Sequence, residues 1–341
     1  MYSAKGMKIL VLVFSLFSRS FSRIKNLAYD YRIFKPRRAP LPVISVGSIA
    51  LGGTEKTPLA MEVLRFLLDK GHRPALVFRG YKGRWEKEGG LVSDGAKILA
   101  TWEQAGDEPF MVARAVPGAG ILVGKNRFVS CERAAKLGFD VAVLDDGFQH
   151  RRLARNLDIA VYSPLERIAL REPRSSLRRT DIILVNAAIP DAKIARELPR
   201  TRENVFTYAV EPQGFFHLWD NESIAKEELG KMRLLAFCGI AGPDRFFAQL
   251  QTAGARVVSS LIFPDHHPYP DSSVEKILRT VKTTGAGAAV TTEKDAAKLL
   301  DRRDLFSDLP VYWLKIGVRL EPGFYARLES FLRKTTGSHF L

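Results

Sequence analysis

The chain has 341 residues, 46% of them hydrophobic, and a formal net charge of +15. That length allows two domains and a sizeable core, and the composition suits a globular protein. The charge directs attention to phosphorylated ligands or an anionic membrane surface, while the lack of any zinc-finger or RNP-like pattern sets nucleic acid aside as a partner.

Near the N-terminus, the apolar run Ile9–Phe17 follows Lys5 and Lys8. It is too short to span a bilayer, and Ser18–Ser22 offers no A-x-A-like cleavage site. Arg19, Arg23, Lys25, Arg32, Lys35, Arg37 and Arg38 follow. The pattern predicts a membrane-interfacial helix over residues 1–38, with apolar side chains in the acyl boundary and cations on anionic headgroups. The rival reading is a helix packed on the protein's own core.

Val43–Pro58, VISVGSIALGGTEKTP, then reads as a buried strand, a glycine-rich turn and a helix opening at Lys56-Thr57. This is the layout of a P-loop, in which backbone N–H groups wrap phosphates, the lysine neutralises them and the threonine hydroxyl holds Mg²⁺. The candidate nucleotide loop is Ala50, Leu51, Gly52, Gly53, Thr54, Glu55, Lys56 and Thr57. In G-x-x-x-x-G-K-[ST] register, Ala50 and Glu55 stand where glycines are expected. A carboxylate at Glu55 would repel a phosphate by about 1 kcal/mol at ~4 Å in water, unless its side chain points to solvent.

Leu59–Lys70 has helical spacing and Pro74–Phe78 is a strand ending in Arg79-Gly80-Tyr81. Gly89–Gly95 reads as an edge strand or hairpin. Asp107 fits a helix start, where its simplest role is an N-cap. Ile121–Val123 is a strand and Asn126–Leu137 a helix. Val141–Leu144 is an apolar strand that runs into Asp145-Asp146, a Walker B-like pattern able to hold Mg²⁺. Strands at Asp158–Tyr162 and Asp181–Asn186 flank a loop at Leu170–Pro173. After a proline-bearing linker, strands at Leu234–Cys238, Val257–Ile262, Ala288–Thr292 and Val311–Leu314, the last closing the sheet, alternate with helices up to Pro322–Arg333. Cys131 and Cys238 lack C-x-x-C spacing and read as reduced core residues of a cytosolic protein. The fold class is therefore α/β, P-loop NTPase-type: a mostly parallel sheet sandwiched by helices, with a second, smaller α/β domain. The expected boundaries are a kinase domain over 39–200, a linker over 201–213 and the second domain over 214–341.

Together, VISVGSIALGGTEKTP, RGYKG at Arg79–Gly83, VSDG at Val92–Gly95, GDEP at Gly106–Pro109, LDDGFQH at Leu144–His150, CGIAGPDRF at Cys238–Phe246, FPDHH at Phe263–His267 and TTEKD at Thr291–Asp295 resemble the tetraacyldisaccharide 4′-kinase family of the lipid A pathway. The resemblance implies γ-phosphoryl transfer from ATP to the 4′-hydroxyl of tetraacyldisaccharide 1-phosphate, giving lipid IVA. It also implies a peripheral place on the cytoplasmic face of the bacterial inner membrane, and a monomer is expected. ATP and Mg²⁺ are the implied cofactors. Lys56 would contact the β- and γ-phosphates. Thr57 would bind Mg²⁺, aided by Asp145 or Asp146, with Glu108 and Gln149 as further candidates. Asp107 and His266 would form the base pair, which requires the two domains to close; on the residues alone, Asp265-His266-His267 reads as a polar turn. Arg79, Arg127 and Glu172 are candidate lipid-headgroup contacts, against the plainer reading of surface ion pairs. Thr291–Asp295 is equally a helix cap with a solvated Asp295. Glu55 departs from the family's usual GGTGKT, and Lys82 from its RGYG. Two rivals stand beside the kinase: a membrane-associated P-loop ATPase switch, and an inactive lipid-binding protein with Glu55 as its lesion.

Overall fold

The computed structural model describes residues 23–50, 55–162, 170–190, 198, 202–306 and 309–336. Residues 1–22, which carry most of the expected interfacial helix, and Leu51–Thr54 of the glycine-rich turn lie outside them.

The strands are β1 (Val43–Ser48), β2 (Pro74–Phe78), β3 (Gly90–Asp94), β4 (Gly120–Val123), β5 (Val141–Asp145), β6 (Leu157–Tyr162) and β7 (Ile182–Asn186) in the first half. They continue with β8 (Val205–His217), β9 (Ser223–Ile224), β10 (Leu234–Cys238), β11 (Val257–Ile262), β12 (Ala288–Thr292) and β13 (Val311–Leu320). All join one sheet in the order β11-β10-β12-β13-β8-β7-β6-β1-β5-β2-β4-β3, with β9 on β8. Strands β1, β2, β5, β6 and β10 are buried at every position. Parallel strands covered on both faces read as unbroken apolar runs for this reason.

Both faces are covered. Leu59, Leu64 and Leu67 of the helix Lys56–Asp69 pack with Ile44 and Val46. Phe128, Cys131 and Ala134 of the helix Arg127–Lys136 pack with Val43, Val77 and Leu144 on the other face. The second half repeats the arrangement: Phe246 and Leu250 of the helix Pro243–Thr252 meet Ala236 and Cys238, and Val274 and Ile277 of the helix Asp271–Thr284 meet Leu235 and Phe237.

The junction differs from expectation. The linker expected over 201–213 falls largely within β8, which pairs parallel with β7 from Val205 to Tyr208 and antiparallel with β13 from Tyr208 to His217. Strand β13 does not close the sheet. It has ten residues and lies between β12 and β8. The sequence shows only its first four residues, because six of its ten positions are partly open or exposed. Running back along β8, it delivers the helix Pro322–Thr336 to the first half, where Phe324, Leu328 and Leu332 join the core containing Leu59 and Tyr208.

Residues 23–30 are helical and lie against the first half. Lys25 donates to the Gln149 carbonyl at 2.9 Å, and Arg151 pairs with Asp30 at 2.8 Å. Ile24, Leu27, Tyr31, Ile33 and Phe34 remain exposed, Ile33 by 71%. Among the described residues no helix is long and apolar enough to cross a membrane.

Candidate active site

Parallel pairing brings the chemistry to one edge. Val46 of β1 lies in register with Asp145 of β5, so the chain leaving β1 and the Asp145-Asp146 pair emerge side by side. Gly47 makes this approach feasible, since a Cβ there would stand 2.7 Å from the Phe148 backbone nitrogen. The resulting cleft, ≈ 1620 Å³, extends to loops of the second half, including Ile240–Gly242 and Asp265-His266.

Lys56 opens the helix Lys56–Asp69 and pairs with Asp146 at 3.3 Å. Asp146 also takes Arg171 at 2.6 Å. Burial works to raise its pKa, but the Lys56 and Arg171 charges hold it below the usual carboxylate range. Asp145 is different. Burial first, then the Glu108 and Asp146 charges, push it up to about 7. One oxygen accepts from the Thr57 hydroxyl at 3.4 Å, while Oδ1 is buried without a hydrogen-bond partner. Such an orphaned carboxylate oxygen beside a hydroxyl fits a hard divalent cation that keeps water and phosphate oxygens as its other ligands. Among the described residues no three His, Cys, Asp or Glu side chains form a ready-made cage. The Gln149 amide nitrogen donates to the Ser48 carbonyl at 2.8 Å, which leaves its Oε1, 3.5 Å from Arg171, as the atom that could meet a cation.

Ala50 is packed in the core, with its N–H turned to the Ser48 hydroxyl at 3.0 Å, so that N–H is not offered to the cleft. Glu55 has left-handed backbone angles, φ 55° and ψ 24°. Its carboxylate is mostly shielded from solvent. It accepts from the Tyr208 hydroxyl at 2.7 Å and the Asn186 amide at 3.4 Å, and lies 3.6 Å from Arg245.

Asp107 is the first residue of the helix Asp107–Ala115, so Gly106 takes the N-cap position with φ 92°. The Asp107 carboxylate lies 2.8 and 3.1 Å from Nδ1 of His266. The two halves hold these residues in contact in this structure, as the expected pairing requires. His266 itself adopts φ 64°, and its N–H donates to the Gly239 carbonyl at 3.1 Å. This is an ordered loop across the cleft, not merely a polar turn.

Two lysines that sequence reasoning passed over complete the cluster. Lys294 lies 3.0 Å from Glu108, 3.6 Å from Asp107 and 3.8 Å from Asp265. Lys298 lies 3.7 Å from Asp107, donates to the His267 carbonyl at 3.0 Å and pairs with Asp295 at 2.9 Å. Asp295 is fully buried, not solvated, and accepts the Gly239 N–H at 2.9 Å. The expected cap is real, since the Thr292 hydroxyl accepts the Asp295 N–H at 3.1 Å. Burial opposes ionisation of Asp107, but the His266 hydrogen bond and then the Lys294 charge hold it at about 2. The i, i+4 spacing of Lys294 and Lys298 in TTEKDAAK was the available signal.

The three candidate headgroup residues separate. Arg79 lines the cleft, is half exposed and pairs with Glu86 at 2.8 Å. Arg127 is buried, donates to the Gly124 carbonyl at 2.9 Å, and is lowered to about 10 by burial despite Asp145 and Asp146. Glu172 sits differently from the two arginines. It is 1% exposed and its carboxylate is held by Arg179 at 2.9 and 3.0 Å and by the Asn26 amide at 2.6 Å. Its oxygens are engaged in fastening the N-terminal helix rather than offered to the cleft. Lys25, Arg37, Arg151, Arg152 and Arg171 line the cleft on this side.

A family model described as LpxK, tetraacyldisaccharide-1-P 4′-kinase, matches residues 7–333. The chain is 37% identical over 342 residues to a tetraacyldisaccharide 4′-kinase from Syntrophus aciditrophicus, covering 92% of this chain and 90% of that one. It is 36% identical over 310 residues to another from Desulfotalea psychrophila, covering 85% and 86%. Among solved structures it is similar to LpxK from Aquifex aeolicus in complex with ATP, with a TM-score of 0.76, 28% identity and coverage of 96% and 99%.

Proposed function

The chain belongs to the tetraacyldisaccharide-1-P 4′-kinase family, and on that premise we propose how its cleft moves the γ-phosphoryl group of ATP to the 4′-hydroxyl of a tetraacyldisaccharide 1-phosphate, the kinase step of lipid A biosynthesis. The observation that carries the proposal is the Asp107–His266 contact at 2.8 Å, on the same cleft as Lys56.

Lys56 leaves Asp146 for the β- and γ-phosphates, which attract it with more charge than one carboxylate. Asp107 accepts the Nδ1 proton of His266, which leaves Nε2 as the basic nitrogen. That nitrogen takes the proton of the 4′-hydroxyl as its oxygen bonds to the γ-phosphorus and the bond to the bridging oxygen of ADP breaks. Lys294 and Lys298 keep Asp107 ionised, so it orients the imidazole without taking up the proton itself. Thr57 and Asp145 would hold Mg²⁺, which neutralises phosphate charge when bound. The carboxylate of Glu55 is engaged by Tyr208, Asn186 and Arg245, so it is no reason to read the chain as an inactive lipid binder.

The exposed apolar side chains at Ile24, Leu27, Ile33 and Phe34 adjoin the cationic side of the cleft. This supports a peripheral site on an anionic membrane, at the cytoplasmic face of the inner membrane, with the acceptor's sugars entering the cleft while its acyl chains stay in lipid.

The test is transfer of labelled γ-phosphate to the acceptor in detergent micelles, beside an acceptor lacking the 4′-hydroxyl. Label in the first lipid alone is expected. ATP hydrolysis that ignores the acceptor would instead favour the ATPase reading.

A further inference from the structure

Glu55 stands where the phosphate-loop pattern has glycine, and its backbone explains the glycine: φ is 55° and ψ 24°. An L-residue in that conformation is strained by about 1–2 kcal/mol. Strain of this kind persists where the surroundings over-determine it, and here they do. Tyr208, whose hydroxyl reaches the carboxylate at 2.7 Å, is 2% exposed and lies on β8, the strand shared by both halves of the sheet. Asn186, at 3.4 Å, ends β7. Arg245, at 3.6 Å, lies in the helix Pro243–Thr252 of the second half, whose preceding residues Ile240–Gly242 line the same cleft as Lys56. One carboxylate therefore ties the residue before Lys56 to the shared strand and to the opposite wall.

We propose that Glu55 is a positioning residue for nucleotide: its side chain fixes the start of the helix Lys56–Asp69 against Tyr208 and Arg245 and so presents Lys56 to the phosphates. The inference rests on the cleft being the nucleotide site. Glycine satisfies the same backbone geometry through conformational freedom, which leaves the loop more entropy to lose on binding. Glutamate satisfies it through three contacts made before nucleotide arrives. The consequence runs against simple electrostatics. Removing a negative charge next to the phosphate-binding lysine should strengthen nucleotide binding, whereas here it weakens it.

Equilibrium binding of ATP to the full chain tests this, with melting temperature measured alongside. Glu55→Gly is expected to weaken binding about tenfold, the weight of a hydrogen bond to a charged group. Its KM for ATP rises by more than its kcat falls. Glu55→Gln, which keeps an acceptor for Tyr208, loses about fivefold or less, as expected for a partly exposed ion pair. In a double-mutant cycle of Glu55→Gln with Arg245→Met, the losses are less than additive. Glu55→Gly binding ATP as tightly as the wild type at an unchanged melting temperature overturns the inference. Should that variant fail to fold, additive losses in the cycle overturn it instead. Failure of the kinase reading looks different, because then the wild type binds no ATP and Lys56→Ala changes nothing.

Discussion

Replacing Asp107 by asparagine removes one charge and almost no volume. The carboxylate is 6% exposed, receives His266 at 2.8 Å and lies within 3.7 Å of both Lys294 and Lys298. Its pKa is held at about 2 against an ordinary 3.8, a gap worth about 2 kcal/mol of stability. Because the folded-state value is the lower one, that contribution is present at neutral pH and is lost as pH falls from about 4 towards 2. Asp107→Asn should therefore be about 2 kcal/mol less stable than the wild type at pH 7, with the difference vanishing in acid. Asparagine also cannot fix the His266 tautomer by accepting with a full charge, so kcat should fall about 10²- to 10⁴-fold while ATP affinity holds. Labelled-phosphate transfer at saturating acceptor, urea unfolding at several pH values and ATP binding read these three quantities. An undiminished kcat, or ATP affinity falling in step with kcat, would refute the assignment of Asp107 to the acceptor side of the reaction.

Asp145→Asn should raise the melting temperature of the nucleotide-free protein, with a gain that grows as pH rises from about 4 to about 7, because the wild-type carboxylate, held at about 7, resists ionising in the fold. The same variant should lose Mg²⁺-dependent transfer, and a stability gain absent at pH 8 would contradict the burial argument. Glu172→Ala leaves Arg179 buried beside a missing partner and should cost about 3–5 kcal/mol in urea unfolding; unchanged stability with a raised KM for the acceptor would return Glu172 to the substrate. Ile33→Asp with Phe34→Asp should reduce sedimentation with anionic vesicles while leaving transfer to a detergent-dispersed acceptor in place, and equal sedimentation would remove these residues from the membrane contact.

What could be read in the sequence follows from where each residue's energy lies. Val43–Ser48, Pro74–Phe78 and Val141–Asp145 declare themselves because full burial leaves only apolar side chains to choose from. Val311–Leu320 does so only over its first four residues, since the rest mixes Lys315 and Arg319 with the buried Leu320. Asp107 and His266 were legible as a pair only through motif resemblance, being 159 positions apart. Lys294 and Lys298 look like ordinary solvated lysines of a polar helix, and only the fold reveals that three carboxylates from both halves surround the first. Glu55 was visible as an anomaly, but its sign was not. Whether a carboxylate repels a phosphate or braces the loop depends on a left-handed backbone that turns it toward Tyr208.

A crystal structure with a non-hydrolysable ATP analogue and Mg²⁺ would show directly where the γ-phosphate sits. The expected result has Lys56 withdrawn from Asp146 onto the β- and γ-phosphates, Thr57 and Asp145 on the cation, and the γ-phosphate facing His266 with its Asp107 contact intact. Nucleotide bound elsewhere, or bound with Lys56 still on Asp146 and His266 turned from the γ-phosphate, would contradict it.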